Sequence, residues 1–203
     1  DPEAASAFYG AVIGWDVVDP GPQFGGYRRL VREGRAAAGL MQAQEGMPTV
    51  WTTYVATTDA QATAAAVREH GGTVLVEPMP VHDLGTMAVF LDPAGAAFGA
   101  WQAGTFAGAE VVNEPGALVW NELATRDPQG ATAFYAAVFG WTARTADMGG
   151  TMYTTFELDG RGVAGMMEIG ADWPPEVPSY WGVYFGVEDC DAAVAEATGR
   201  GAQ

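Results

Sequence analysis

The segment that most constrains this chain is one it contains twice. Residues 1–15 read DPEAASAFYGAVIGW and residues 127–141 read DPQGATAFYAAVFGW, identical at 10 of 15 positions across an offset of 126. Each copy spells a short helix. Asp1 and Asp127 are cap residues, Pro2 and Pro128 suit the first helical position, and Gly140 suits the left-handed residue that ends a helix. Ala131, Phe134, Tyr135 and Val138 fall at i, i+3, i+4 and i+7, one apolar stripe. A repeat of this length is a duplicated domain rather than a solenoid unit. Other pieces recur with it. Ala38-Gly39-Leu40-Met41 returns as Ala164-Gly165-Met166-Met167 at the same offset, while Asp59 and Gly71 return as Asp189 and Gly201, four residues later in register.

Periodicity and turn residues place the remaining elements. Strands are expected at Tyr27–Val31 and Ala36–Gln42 with Gly34 between them, then a loop at Gln44–Pro48 and a strand at Trp51–Thr57. Asp59 caps a helix over Ala60–Glu69 that ends at His70-Gly71-Gly72. Strands follow at Thr73–Val76, Thr86–Leu91 and Ala97–Gln102, separated by Pro78, Pro80 and the turn Asp92-Pro93-Ala94-Gly95. The second copy adds Leu118–Ala124 before its helix, then Met152–Leu158, Gly162–Ile169, Tyr180–Val187 and a helix at Asp189–Gly199. Strand, helix, then several strands, twice over, is an α+β pattern with mostly antiparallel sheets. The expected domains are residues 1–104 and 118–203, joined by a linker at 105–117. Comparing the copies leaves one strand unmatched before Asp1 and three after Gln203, so a longer chain on the order of 250 residues is expected, its extra strands covering sheet edges.

Charge and cysteine content exclude several function classes. With 25 acidic residues against 9 basic ones, net charge −16, the chain shows no basic face for a nucleic acid. Its acidity suits either solubility or a cationic ligand. The single cysteine, Cys190, allows no internal disulfide and fits a reducing cytoplasm. No apolar run is long enough to span a bilayer, so no membrane partner is expected. Ser6 and Ser179 are the only serines, without a nucleophile-elbow pattern, and with no lysine in the chain the Gly25-Gly26 and Gly149-Gly150 loops are not phosphate loops.

The D-P-x-x-A-x-x-F-Y-x-x-V-x-G-W helix resembles the opening of vicinal oxygen chelate proteins, the superfamily of glyoxalase I, bleomycin-resistance proteins and extradiol dioxygenases. Asp92-Pro93-Ala94-Gly95-Ala96-Ala97-Phe98 is similar to its closing strand pair, and Val119-Trp120-Asn121-Glu122-Leu123 to its first strand. The resemblance covers essentially the whole chain. It implies duplicated domains, each of paired β-α-β-β-β modules whose sheets curl round a cavity. Two fused domains then suit a monomer with an intramolecular pseudo-dimer, or a homodimer.

The same resemblance implies a divalent metal held by His, Glu or Gln at set strand positions. Counting from the motifs, those positions fall on Trp120, on Met41 and Met167, on Thr52 and Gly182, and on Gly99. None is a usual ligand for such an ion. A slip in the count brings in their neighbours Glu168, Gln42 and Glu122. His70 and His82 sit at a helix end and in a loop. The expectation is therefore no catalytic metal, with a divalent ion as the alternative. Strand parity sends Tyr54, Trp101, Trp120, Glu122, Met41, Met167 and Tyr184 toward the cavities, and Trp181, Val183, Phe185 and Val187 toward the helices. Aromatic and methionine walls with one or two polar groups describe a small-molecule pocket, or ordinary core filling. Glu122 is open to three readings: an acid/base catalyst, an anchor for a cationic ligand group, or an exposed strand-end carboxylate. Three functions follow: a metal-free binder of a small aromatic or amphipathic molecule, a metal-dependent lyase or dioxygenase, or an interaction protein with a relict pocket.

Overall fold

The computed structural model describes residues 1–43 and 45–202. Both repeated helices form as their end residues dictate. In α1 (Pro2–Ile13) the Asp1 carboxylate accepts from the N–H groups of Glu3 and Ala4, and Gly14 closes the helix at φ 82°. In α3 (Pro128–Phe139) Asp127 accepts from Gly130 and Gly140 closes at φ 70°.

The chain divides into two compact units that do not follow the tandem repeat. Unit 1 is Asp1–Val50, Gly108–Val119 and Tyr184–Gln203; unit 2 is Trp51–Ala107 and Trp120–Val183. Unit 1 holds α1, the antiparallel sheet β1 (Asp16–Val18), β2 (Arg28–Arg32) and β3 (Arg35–Leu40), and α4 (Cys190–Gly199). Its core gathers Ile13, Trp15, Leu30, Val31, Ala36 and Val111. The Trp15 indole N–H donates to the Gly116 carbonyl at 2.7 Å, and its ring meets Phe185 edge-on at 5.1 Å.

Unit 2 carries two sheets. The first, in order β4-β7-β6-β5, contains β4 (Tyr54–Thr57), β5 (Thr73–Val81), β6 (Gly85–Leu91) and β7 (Ala97–Ala103), with α2 (Ala60–Glu69) between β4 and β5 in sequence. The second, in order β12-β8-β11-β10-β9, contains β8 (Leu118–Thr125), β9 (Thr142–Asp147), β10 (Met152–Leu158), β11 (Arg161–Glu168) and β12 (Tyr180–Phe185), with the first two residues of β8 and the last two of β12 counted in unit 1. Each four-strand module has one parallel pairing, β4 with β7 and β8 with β11, and is otherwise antiparallel. That is the expected β-α-β-β-β module, present twice. Helices α2 and α3 cover one face of these sheets, and the core between them mixes the copies: Phe90 and Phe98 with Phe134, Tyr135, Trp141, Phe156 and Trp181.

At the centre of that core is a polar node. The buried Asp92 carboxylate accepts from the Ala94 and Ala96 N–H groups and from the Tyr135 hydroxyl at 3.1 Å; the Tyr135 oxygen accepts from the Trp181 indole N–H at 2.8 Å. Burial pushes the Tyr135 phenol well above its ordinary range, and the Asp92 charge adds to it. Burial also raises the Asp92 carboxyl, against the pull of its donors.

Several expectations change. Pro78 and Pro80 do not separate strands: β5 runs through them to Val81. It tolerates them because it is the outer strand of its sheet, where a missing N–H breaks no ladder. The strand expected at Trp51–Thr57 shortens to Tyr54–Thr57, and that expected at Tyr180–Val187 ends at Phe185. Strands β1 and β9 were not foreseen; every residue of both is exposed, so neither shows apolar alternation. The stretch read as a linker is held down, with the Glu110 N–H on the Ala36 carbonyl and the Ala36 N–H on the Glu110 carboxylate, each at 2.7 Å. Gln44, the first residue of one expected loop, lies outside the described residues.

Candidate functional site

The β8–β11 sheet has one face under α3 and one face away from it. Leu123, Phe156, Ala164 and Met166 point to the helix side and are buried. Alternation therefore sends Trp120, Glu122, Tyr153, Gly165 and Met167 to the opposite face. There the sheet register sets Glu122 beside Gly165 and Met167 opposite Tyr153.

A short hydrogen-bonded chain crosses this face. The Trp120 indole N–H donates to the Tyr153 hydroxyl oxygen at 2.9 Å, and the Tyr153 hydroxyl donates to Glu122 Oε2 at 2.6 Å. The phenol passes directly over Gly165: a Cβ there would collide with the Tyr153 hydroxyl and sit 2.7 Å from Trp120 Nε1. Gly165 is thus required for the space it leaves. A half-buried carboxylate held by a phenol, which is itself held by an indole, is an oriented acceptor with an aromatic wall.

Four other sequence-predicted residues sit on other strands and loops. Tyr54 and Trp101 occupy the β4–β7 sheet. The Tyr54 ring covers Gly99, and the Trp101 ring lies 2.6 Å from where a Cβ of Gly85 would be, its N–H donating to the Phe106 carbonyl at 2.9 Å. Met41 and Tyr184 belong to unit 1 and are 56% and 50% exposed. Trp181 points to the helix side as parity requires, at 6% exposure.

The donor set does not fit the metal that the fold's relatives imply. Among the described residues, no three His, Cys, Asp or Glu side chains come together. Glu168 is three residues beyond Gly165, so alternation puts it on the helix side, in a cleft of about 400 Å³ with Pro128, Thr132 and Met166. It cannot join Glu122. Tyr54 covers Gly99, the closing-strand position where the resemblance places a carboxylate. His70 sits at the α2 C-terminus with a ring nitrogen 2.9 Å from the Ala66 carbonyl, and His82 is in an exposed turn at φ 50°. Tyr153 and Gly165 were missed as site residues. Their signal was the repeat itself, since Tyr27 and Gly39 stand in the same places of the first copy.

Comparison with known proteins agrees with this architecture. The family model described as a glyoxalase-like domain matches residues 1–100, and that of the glyoxalase/bleomycin resistance protein/dioxygenase superfamily matches residues 117–203. The chain belongs to this superfamily. CFP32 of Mycobacterium tuberculosis, whose name provisionally makes it a glyoxylase, is 40% identical over 210 residues, covering 100% of this chain and 79% of that protein. The anthracycline biosynthesis protein DauV of a Streptomyces species is 37% identical over 219 residues, covering 99% and 78%. Among solved structures, the 2,2',3-trihydroxybiphenyl 1,2-dioxygenase of Sphingomonas wittichii aligns with a TM-score of 0.56 at 15% identity, covering 100% of this chain and 75% of that one. At that identity the likeness speaks for the fold. Among the described residues no helix is long and apolar enough to cross a membrane.

Proposed function

We propose that this superfamily member binds a small aromatic molecule on the face of the β8–β11 sheet turned away from α3, without a catalytic metal. Glu122 anchors an amino or hydroxyl group of the ligand. The Trp120–Tyr153–Glu122 chain carries this reading: it presents one oriented carboxylate beside an indole, where a metal site would need several converging donors. Trp120 and Met167 offer a flat ring and a polarizable thioether for the ligand's aromatic part. A cationic group gains from both the carboxylate and the indole face. The chain's net charge of −16 favours the approach of cations. Relatives named for glyoxylase activity and for anthracycline biosynthesis are consistent with an organic ligand.

The test is a thermal-shift screen of aromatic amines and phenols on chelator-treated protein. Hits should raise the midpoint in the wild type and fail to do so in Tyr153→Phe, which removes the hydroxyl that orients the carboxylate. Stabilisation by divalent ions alone, with no response to any organic probe, would overturn the proposal.

A further inference from the structure

The two copies place the same pair of residues at the same point and then differ beside it. In unit 1 a Cβ at Gly39 would lie 2.6 Å from the Tyr27 hydroxyl, so this phenol also covers a glycine. Gly39 faces Arg29 across the β2–β3 ladder; the corresponding residue in the second copy, facing Gly165, is Thr155. Residues directly opposite in an antiparallel pair share a face, as do residues two apart on a strand. Tyr27, Arg29 and Gly39 therefore share one face of β2–β3. Leu30, at 1% exposure, and Arg28, paired with Glu3 of α1 at 2.5 Å, take the other.

Arg29 stands out among the chain's cations. Of 9 basic residues, all arginine, seven are engaged: Arg28, Arg35, Arg68, Arg144 and Arg200 by carboxylates, Arg32 and Arg126 by backbone carbonyls. The remaining two are Arg29 and Arg161, and Arg161 is exposed. Arg29 is half-buried and has neither ion pair nor hydrogen bond among the described residues, in a chain with 25 acidic side chains to choose from. It acts electrostatically on Tyr27, whose phenol burial pushes up and Arg29 pulls down. A guanidinium partly withdrawn from water without a counter-charge is costly unless a ligand supplies one, and its planar fork matches a carboxylate.

We propose that the Tyr27–Arg29–Gly39 face is an anion subsite for a small planar carboxylate, a binding site distinct from that of Glu122 and opposite to it in sign. The guanidinium takes the carboxylate through paired N–H donors, and the Tyr27 ring flanks the ligand plane.

Salicylate is the probe, titrated into the whole chain and followed by amide chemical shifts. Saturable binding is expected, with shifts centred on Tyr27–Arg29 and Gly39. Arg29→Gln should weaken it by about tenfold or more, the value of one charge-assisted contact, and Arg29→Lys by less. Glu122→Gln should leave it unchanged, so this outcome and that of the Glu122 site are read separately. If Arg29→Gln does not fold, Gly39→Ala decides, since its methyl displaces Tyr27 and should abolish the shifts. No saturable shift in the wild type, affinity of a folded Arg29→Gln within about twofold of wild type, or shifts that persist in Gly39→Ala, overturns the proposal.

Discussion

Replacing Tyr135 by Phe removes one oxygen from the centre of the unit 2 core. The residues around that atom are nearly sealed: Tyr135 is 0% exposed, Asp92 3% and Trp181 6%. The hydroxyl donates to a carboxylate at 3.1 Å and accepts an indole N–H at 2.8 Å. Losing the first contact costs roughly 1.5–3 kcal/mol, and leaving the Trp181 N–H without an acceptor costs roughly 1–3 kcal/mol. The two overlap because both groups relax into the same gap, so about 2–4 kcal/mol is expected in total. For a chain of this size that lowers Tm by about 5–15 °C. Urea unfolding followed by tryptophan fluorescence and by far-UV circular dichroism gives the number, with coincident transitions checking two-state behaviour. A loss below about 0.5 kcal/mol at unchanged m would mean that the node is not satisfied through this hydroxyl.

Other outcomes follow from the same geometry. The Asp92 carboxyl titrates above its unfolded value because of burial, so the stability it confers is present below that value and lost as pH rises through the folded one. Tyr135→Phe removes a donor that lowers it, so the stability gap between variant and wild type should widen from about pH 4 to about pH 7; a constant gap would contradict this. Gly165→Ala should displace the Tyr153 hydroxyl from Glu122, costing about 1–3 kcal/mol and abolishing the thermal shift with aromatic amines. Asp127→Ala should cost about 1 kcal/mol through the lost α3 cap, measurable by thermal melting. Changing Pro78 and Pro80 together to Thr should barely alter Tm yet promote concentration-dependent association in light scattering, by opening the β5 edge.

How legible the chain was depended on which force shaped each part. The capped helices could be read because Asp127, Pro128 and Gly140 act locally, and helix α2 because Asp59 and the small apolar face of Ala60, Ala64 and Val67 point one way. Strand β9 could not, since Thr-Ala-Arg-Thr-Ala-Asp buries nothing and is held by its ladder to β10 and by polar side-chain contacts to the same strand. The Pro78–Pro80 stretch misled because proline reads as a break until its place at a sheet edge is known. For the site, parity named Trp120 and Glu122, and the structure links them. Tyr153 escaped because what recruits it is absence: a missing Cβ at Gly165 on the neighbouring strand β11. The division into units was equally hidden, since Asp92 of one copy meets Tyr135 of the other only through long-range packing.

The affinity of one aromatic amine, 1-naphthylmethylamine, for the whole chain, measured by titration calorimetry with and without EDTA, decides whether Glu122 holds an organic ligand without a metal. Saturable binding is expected, unchanged by EDTA and weakened by about tenfold or more in Glu122→Gln. Binding abolished by EDTA and restored by a divalent ion, or unaltered in Glu122→Gln, would contradict the proposed metal-free site at Glu122.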